Sequence, residues 1–397
     1  LHLRFRRQRQ MCIRDRLNPF TKVDISFDDF RQSAKKRLPK LLFEYIDGAA
    51  SDGSGEADNR KIIRQFRLKT KALINVEKRS LNHKIFRIPS KLPIGIAPMG
   101  MVQMAGVGAD EAFAKCAAKY EIPVGVSTAS SMSLEKYAEY SNGYAWFQLY
   151  YMADKTKLKT LLNRIVAAGY KTLIFTVDVP EIGFRPNEIR NGLKIPFKFG
   201  PKQIVDFAMH PTWSIKTLIN GPPKFGNFKD TNSFNRDASR AGADWEFLRY
   251  LRDHWPNKIV IKGVLNTEDA INMRGMGVDG IYVSSHGGRQ LASAPHPIEM
   301  LPKIRKALGD DVHIFYDSGL RNGEDLVKAY ALGANFAFMG RPWSLAYAAN
   351  NQHGIENYID YLCKETSVAM AMIGRRKIEE ICFDDIYFTF KQTKLDY

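Results

Sequence analysis

Cysteine is scarce in this chain: Cys12, Cys116, Cys363 and Cys382 lie far apart and form no CxxC or other metal-type spacing. A disulfide scaffold is thereby excluded, and a reducing compartment fits better than an oxidising one. Long apolar runs are missing too, since none approaches the roughly eighteen residues of a membrane-spanning helix. The sequence holds no HExxH pair, zinc-finger spacing, RNA-binding aromatic motif or GxxxxGKS/T loop. With them go the signatures of a metalloprotease, a nucleic-acid reader and a nucleotide triphosphatase.

Acidic residues are the minority charge, 42 against 59 basic ones, for a formal +17. The first sixteen residues, LHLRFRRQRQMCIRDR, hold six of the arginines and have no signal-peptide h-region; residues 1–16 read as a non-native or disordered segment. The remaining excess suits anionic substrates or an anionic lipid surface and selects no nucleic-acid partner.

What the chain does have is rhythm. After a helical opening over 27–47, eight short runs rich in β-branched and aromatic residues recur: 92–99, 122–128, 144–150, 172–178, 258–263, 280–286, 313–319 and 336–341. Each is too uniformly apolar for a half-exposed strand and reads as a parallel strand buried on both faces. Helix-length segments such as 108–120, 156–170, 267–277 and 323–333 lie between them, several ending in glycine. Eight such units predict an α/β fold, a (β/α)8 TIM barrel with an N-terminal helical segment (17–90) packed on it. The barrel is expected over 91–380, followed by a tail at 381–397. A Gly-, Pro- and aromatic-rich stretch (196–230) marks a long insertion after strand four, spanning 185–245, read as a lid or substrate loop over the catalytic face.

Chemistry in this fold belongs at the C-terminal ends of the strands. There stand Ser127 and Thr128, Gln148 and Tyr150, Thr176 and Asp178, Lys262, His286 with Arg289, Asp317 with Gly319, and Gly340 with Arg341. A lone histidine is weak evidence, but His286 with a carboxylate at Asp178 makes a general base. A metal site would have only those two ligands. Lys262 and Arg289 call for an anionic or electron-rich partner. Gly319, Arg321, Gly340 and Arg341, in turns after strands seven and eight, suit a phosphate group.

These stretches resemble the FMN-dependent L-2-hydroxy acid oxidase and dehydrogenase family, which includes glycolate oxidase, L-lactate dehydrogenase and the flavin domain of flavocytochrome b2. The resemblance rests on RLPKLLFEYIDGAA (37–50), WFQLY (146–150), FTVDVPEIGFR (175–185), VIKGVLNTEDA (260–270), SSHGGRQL (284–291), YDSGLRNGEDLVKAYALGA (316–334) and GRP (340–342), and covers about 20–380. It implies FMN as cofactor and oxidation of a 2-hydroxy acid to the 2-oxo acid. His286 would be the base, paired with Asp178; Arg289, Arg185 and Tyr45 would bind the substrate carboxylate and Tyr150 its hydroxyl. Ser127, Gln148 and Thr176 would hydrogen-bond the flavin ring, Ala97 and Met99 would border it, Lys262 would lie near its N1 and O2, and Asp317 would belong to the same cofactor site. Gly319, Arg321, Gly340 and Arg341 would hold the phosphate.

The sequence departs from the family pattern at Pro186, Ser285, Ala292 and across 50–61, which raises a catalytically silent FMN-binding scaffold as an alternative. Ala129 stands where glycolate oxidase has tryptophan and opens the substrate pocket, so L-lactate leads, with mandelate or a longer-chain 2-hydroxy acid next. Another FMN barrel, such as a type 2 isopentenyl diphosphate isomerase, would not need the arginine clamp. The resemblance further implies a homotetramer, electron transfer to quinone, cytochrome or oxygen, and a cytoplasmic location, peripheral to the inner membrane in some members.

Overall fold

The computed structural model describes residues 24–193, 200–228 and 238–387; residues 1–16, parts of the 185–245 insertion and most of the 381–397 tail lie outside that range. The eight apolar runs form β1 (Ile94–Met99), β2 (Val124–Ser127), β3 (Ala145–Leu149), β4 (Thr172–Thr176), β5 (Lys258–Val264), β6 (Gly280–Val283), β7 (His313–Tyr316) and β8 (Phe336–Met339). They pair in parallel in chain order, and β8 returns to β1 to close the barrel. Closure buries both strand faces, which is why these runs carry no polar alternation.

Alternation survives in a subtler form. Side chains two apart share a strand face, and Trp146, Ile174, Val260, Tyr282, Phe315, Phe336 and Phe338 form one core cluster inside the barrel. Continuing each strand in steps of two from these residues reaches Gln148 and Tyr150, Thr176 and Asp178, Lys262, Ser284 and His286, Asp317, and Gly340. The aromatic filling and the polar residues above it therefore occupy one continuous interior surface. A two-stranded hairpin (His83–Ile85 with Ile88–Ser90) presents Phe86 to Trp146, His313 and Phe315, with ring centroids 4.7–5.7 Å apart.

The helical opening is two helices, not one. α1 (Phe27–Arg37) begins at Ser26, whose side chain accepts from the Asp29 amide, and runs from acidic to basic ends in keeping with its dipole. Pro39 lacks an amide hydrogen and forces Leu38 into an extended conformation, so α2 (Lys40–Asp47) starts afresh at a new angle. That break brings Tyr45 to the barrel mouth. α3 (Ser54–Gln65) follows across the same mouth. Around the barrel lie α4 (Ala109–Tyr120), α5 (Leu134–Ser141) and α6 (Lys155–Ala167).

The insertion after β4 contributes α7 (Pro186–Arg190), α8 (Pro201–Ala208) and α9 (Pro211–Asn220) before α10 (Trp245–His254) restores the barrel rhythm. α11 (Thr267–Gly275), α12 (Pro297–Leu308), α13 (Gly323–Ala331) and α14 (Arg341–Met372, broken at Asn350–Asn351) complete the ring. At the far end Ile386–Tyr387 pairs antiparallel with Arg67–Leu68.

Candidate active site

A cavity of about 200 Å³ opens at the C-terminal mouth of the barrel. Its lining includes Tyr45, Ala97, Met99, Ser127, Ala129, Tyr150, Arg185, Lys262, His286, Arg289, Asp317, Gly319, Arg321, Gly340 and Arg341. Gln148, Thr176 and Asp178 sit in or against the wall behind that lining. The residues singled out from scattered strand ends thus converge on one place.

His286 stands at φ 56°, a left-handed conformation unusual outside glycine. A hydroxyl strap holds it there: its amide donates to Ser284 Oγ at 3.0 Å, and the Gly287 amide donates to Ser318 Oγ at 3.1 Å. His286 Nδ1 lies 3.1 Å from Asp178 Oδ1. A carboxylate only accepts, so Nδ1 carries the hydrogen and Nε2 keeps its lone pair. Burial pushes the imidazole below its usual value; Asp178 opposes this and the Lys262 charge adds to it. Burial alone would raise Asp178, but the charge and hydrogen bond of His286, with Lys262, bring it below the usual carboxylate range. Gly263, at φ 98°, is required beside this pair, because a Cβ there would come within 2.4 Å of Asp178 Cγ.

Arg185 and Arg289 share a counter-ion that the sequence alone does not single out. Glu188, in the turn of helix begun by Pro186, meets Arg185 Nη1 at 3.2 Å and Arg289 Nη2 at 3.1 Å. Arg289 also donates to the Tyr45 and Gly48 carbonyls, 2.8 Å each, and stacks 5.2 Å from the Tyr45 ring. Burial and the nearby Arg185 push its guanidinium down from the ordinary value, and Glu188 offsets part of that. With Pro186 in the place of an acidic residue, Glu188, two positions later, is the carboxylate that serves both arginines. A charged pair three residues apart, spanning a helix-starting proline, is the local signal for it.

Lys262 is 3% exposed and donates to Ser284 Oγ at 2.7 Å, with Asp317 Oδ2 at 3.3 Å. Around it the structure leaves donors without partners: Gln148 Nε2 and Thr176 Oγ1 are buried and unbonded, as is Arg321 Nε at the phosphate end. Orphaned donors inside a closed barrel are costly, and these stand where a heteroaromatic ring and an anion would satisfy them. That donor set fits FMN. Glu56 is the exception, lying 2.7 Å from Arg321 and 3.6 Å from Arg341, where it would compete with a phosphate.

The unusual positions prove to be neighbours. Asn59 Nδ2 donates to Ser285 Oγ at 2.9 Å, both buried. Gly55 packs so closely on Ala292 that a Cβ would meet its carbonyl oxygen at 2.8 Å. Gly288, at φ 74°, admits the α3 backbone at the Glu56 amide. The irregular 50–61 segment and the changes at 285 and 292 are one matched interface, which argues against piecemeal decay of the site.

A closed parallel barrel with a buried His–Asp pair, two arginines sharing one glutamate and unsatisfied donors around a buried lysine fits a flavin-type oxidoreductase of small anionic substrates. Residues 34–387 match the family model of the FMN-dependent dehydrogenases, and the chain belongs to that family. It is 37% identical to (S)-mandelate dehydrogenase of Pseudomonas putida, covering 87% of this chain and 90% of that protein. It is 35% identical to L-lactate dehydrogenase of Pseudomonas syringae pv. syringae (strain B728a), covering 90% and 96%. A solved structure described as the monotopic membrane protein (S)-mandelate dehydrogenase superposes with a TM-score of 0.88 at 34% identity, over 92% of this chain and 100% of that one. The chain is thus an FMN-dependent 2-hydroxy acid oxidoreductase with a (β/α)8 fold.

Proposed function

We propose that the enzyme oxidises L-2-hydroxy acids whose side chain is a methyl group or larger, L-lactate being the smallest, to the corresponding 2-oxo acids. The observation that carries this is the His286–Asp178 pair, 3.1 Å apart, in one cavity with the Arg185–Arg289 clamp. The clamp receives the substrate carboxylate with Tyr45 beside it. Tyr150, whose phenol burial pushes up to about 12, keeps its proton and hydrogen-bonds the hydroxyl. His286 Nε2 accepts a proton from the bound acid while Asp178 holds the ring and stabilises the imidazolium. FMN supplies the two-electron acceptor when bound. Ser127, Gln148, Thr176 and Lys262 would hold its ring, bordered by Ala97 and Met99, with Asp317 fixing Lys262; Gly319, Arg321, Gly340 and Arg341 would hold its phosphate. Fixing acid and base in one geometry is a large part of such catalysis.

Ala129 and the apolar walls Val179, Ile182 and Phe225 leave room beyond a methyl group, which supports a second reading, an aryl substrate such as mandelate. Support for a membrane-surface location comes from α8, α9 and the turn between them, where Ile204, Val205, Met209, Ile215, Leu218 and Ile219 are all more than half exposed. Among the described residues no helix is long and apolar enough to cross a membrane. The related structure described as monotopic favours insertion of that apolar face into one leaflet.

Anaerobic titration of the holoenzyme with L-lactate tests the reaction. Bleaching of the oxidised-flavin absorbance is expected, and air against a quinone analogue then identifies the faster acceptor. A flavin that stays oxidised with lactate, mandelate and longer acids overturns the proposal in favour of a silent scaffold.

A further inference from the structure

Ser318, in the turn after β7, has no part in the reaction described above, yet its backbone is held at φ 84°. Among the described residues the other non-glycine positions with positive φ lie between 50° and 68°. Values near 84° belong here to glycines, such as Gly108 at 85° and Gly319 at 88°. A Cβ makes that conformation costly, and glycine would adopt it freely. What the serine adds must therefore lie in its hydroxyl. Ser318 Oγ donates to Asp317 Oδ1 at 2.8 Å and accepts from the Ser285 and Gly287 amides at 3.2 and 3.1 Å. A hydroxyl has one donor and two acceptor sites, and all are used. The Ser318 carbonyl is fixed in turn, accepting from Tyr316 Oη at 2.9 Å.

The two amides that Ser318 holds flank His286. Between them the His286 amide donates to Ser284 Oγ, and both serine hydroxyls donate to the same oxygen of Asp317. Two left-handed turns, one after β6 and one after β7, thus meet at a single hydroxyl oxygen. We infer that Ser318 is a positioning residue for the base: it fixes the backbone on both sides of His286 and so sets the direction in which Nε2 meets the substrate. This rests on the reading of His286 as that base. Asp178 orients the ring through Nδ1 but does not hold the backbone that carries it. The Arg289 guanidinium is held separately, by the Tyr45 and Gly48 carbonyls and by Glu188. Loss of the hydroxyl should therefore slow proton removal and leave carboxylate binding nearly intact.

The test compares Ser318→Ala with Ser318→Gly as holoenzymes, with rates expressed per bound flavin. Both variants lose the hydroxyl, but only glycine is relieved of the unfavourable φ, so Ser318→Gly is expected to resist denaturant better than Ser318→Ala. Anaerobic flavin reduction by L-lactate, or by whichever 2-hydroxy acid the wild type oxidises, is expected to slow about ten- to hundredfold in both, as for a misplaced catalytic group. The Kd for the corresponding 2-oxo acid, followed by perturbation of the flavin spectrum, is expected to stay near the wild-type value. Activity and stability should thus part company between the two variants.

Recovery of the wild-type rate in Ser318→Gly overturns the inference, because a residue needed only for packing is rescued by an unstrained backbone. So does a 2-oxo acid Kd that weakens as much as the rate falls. If Ser318→Ala does not fold, the rate and Kd of Ser318→Gly decide alone. If neither folds, Ser318→Cys, whose sulfur is a weaker acceptor, is expected to lose part of the rate, and full activity in it overturns the role. An active wild type with unimpaired variants refutes this role and leaves the proposed function standing. A wild-type flavin that stays oxidised with every acid refutes both.

Discussion

At the scale of single residues, the site turns on which groups are left neutral in a crowded field of charge. Burial pushes His286 below the usual imidazole value, Asp178 opposes it, and Lys262 reinforces it. In the proposed reaction His286 acts as a base in its neutral form, so protonation is expected to remove activity. kcat/KM should therefore fall only below about pH 6.5, the ordinary imidazole value, and stay level above it as far as this group is concerned. Asp178→Asn removes the opposing carboxylate, so the acid limb should move lower still. It should also cost on the order of 10²- to 10⁴-fold in kcat, because the imidazolium loses its stabiliser and the ring its fixed tautomer. A pH–rate profile of both proteins at unchanged flavin content checks it; an acid limb above pH 7 would contradict the assignment. Glu56 gives a second prediction at this scale. Set between Arg321 and Arg341, it opposes an incoming phosphate, so Glu56→Gln should tighten FMN binding by about tenfold, in line with removal of one like charge near a partly buried anion. Fluorescence titration of the apoprotein with FMN measures this, and weaker binding would show that Glu56 instead orients the arginines.

At the scale of elements, the barrel mouth is assembled from pieces distant in the chain. α3 meets the turn after β6 through Asn59 and Ser285, and through the close approach of Gly55 to Ala292. Asn59→Ala strips a buried hydroxyl of its donor and should destabilise the fold by about 1–3 kcal/mol. Denaturant unfolding of the holoenzyme measures the shift in midpoint, and a change within error would remove the interface from the account. Individually these positions read as departures from a family pattern. Only their adjacency in space shows that one compensates another, and no spacing along the chain carries that information. Glu188 was more accessible, since a glutamate three residues after Arg185 on a helix started by Pro186 is a local feature.

At the scale of the whole molecule, one surface differs from the rest. α8 and α9 bury little apart from Trp213, while Leu218 and Ile219 are about four-fifths exposed, at 83% and 78%. An amphipathic segment of this kind is suited to lie in a membrane interface, with flanking lysines such as Lys202 and Lys216 toward anionic headgroups. Co-sedimentation with vesicles containing phosphatidylglycerol should therefore be strong. Leu218→Ser combined with Ile219→Ser should lower the vesicle partition constant by on the order of a hundredfold, since each large aliphatic group transferred contributes about 1.5–3 kcal/mol. Equal sedimentation of the two proteins would assign the face to another partner.

The sequence by itself determined the barrel and which polar residues gather at its mouth. Eight uniformly apolar runs can satisfy their backbone and side chains only by burial on both faces, and the step of two along each strand then fixes which polar residues crown the interior. His286, Asp178, Lys262, Tyr150 and the glycine turns were legible for that reason. Tertiary structure alone decided the rest. Asn59 lies 226 positions from Ser285, and Glu56 is 265 positions from Arg321. Their roles arise from chain segments folded back across the mouth, where Coulomb interaction depends on distance in space and not on order along the chain.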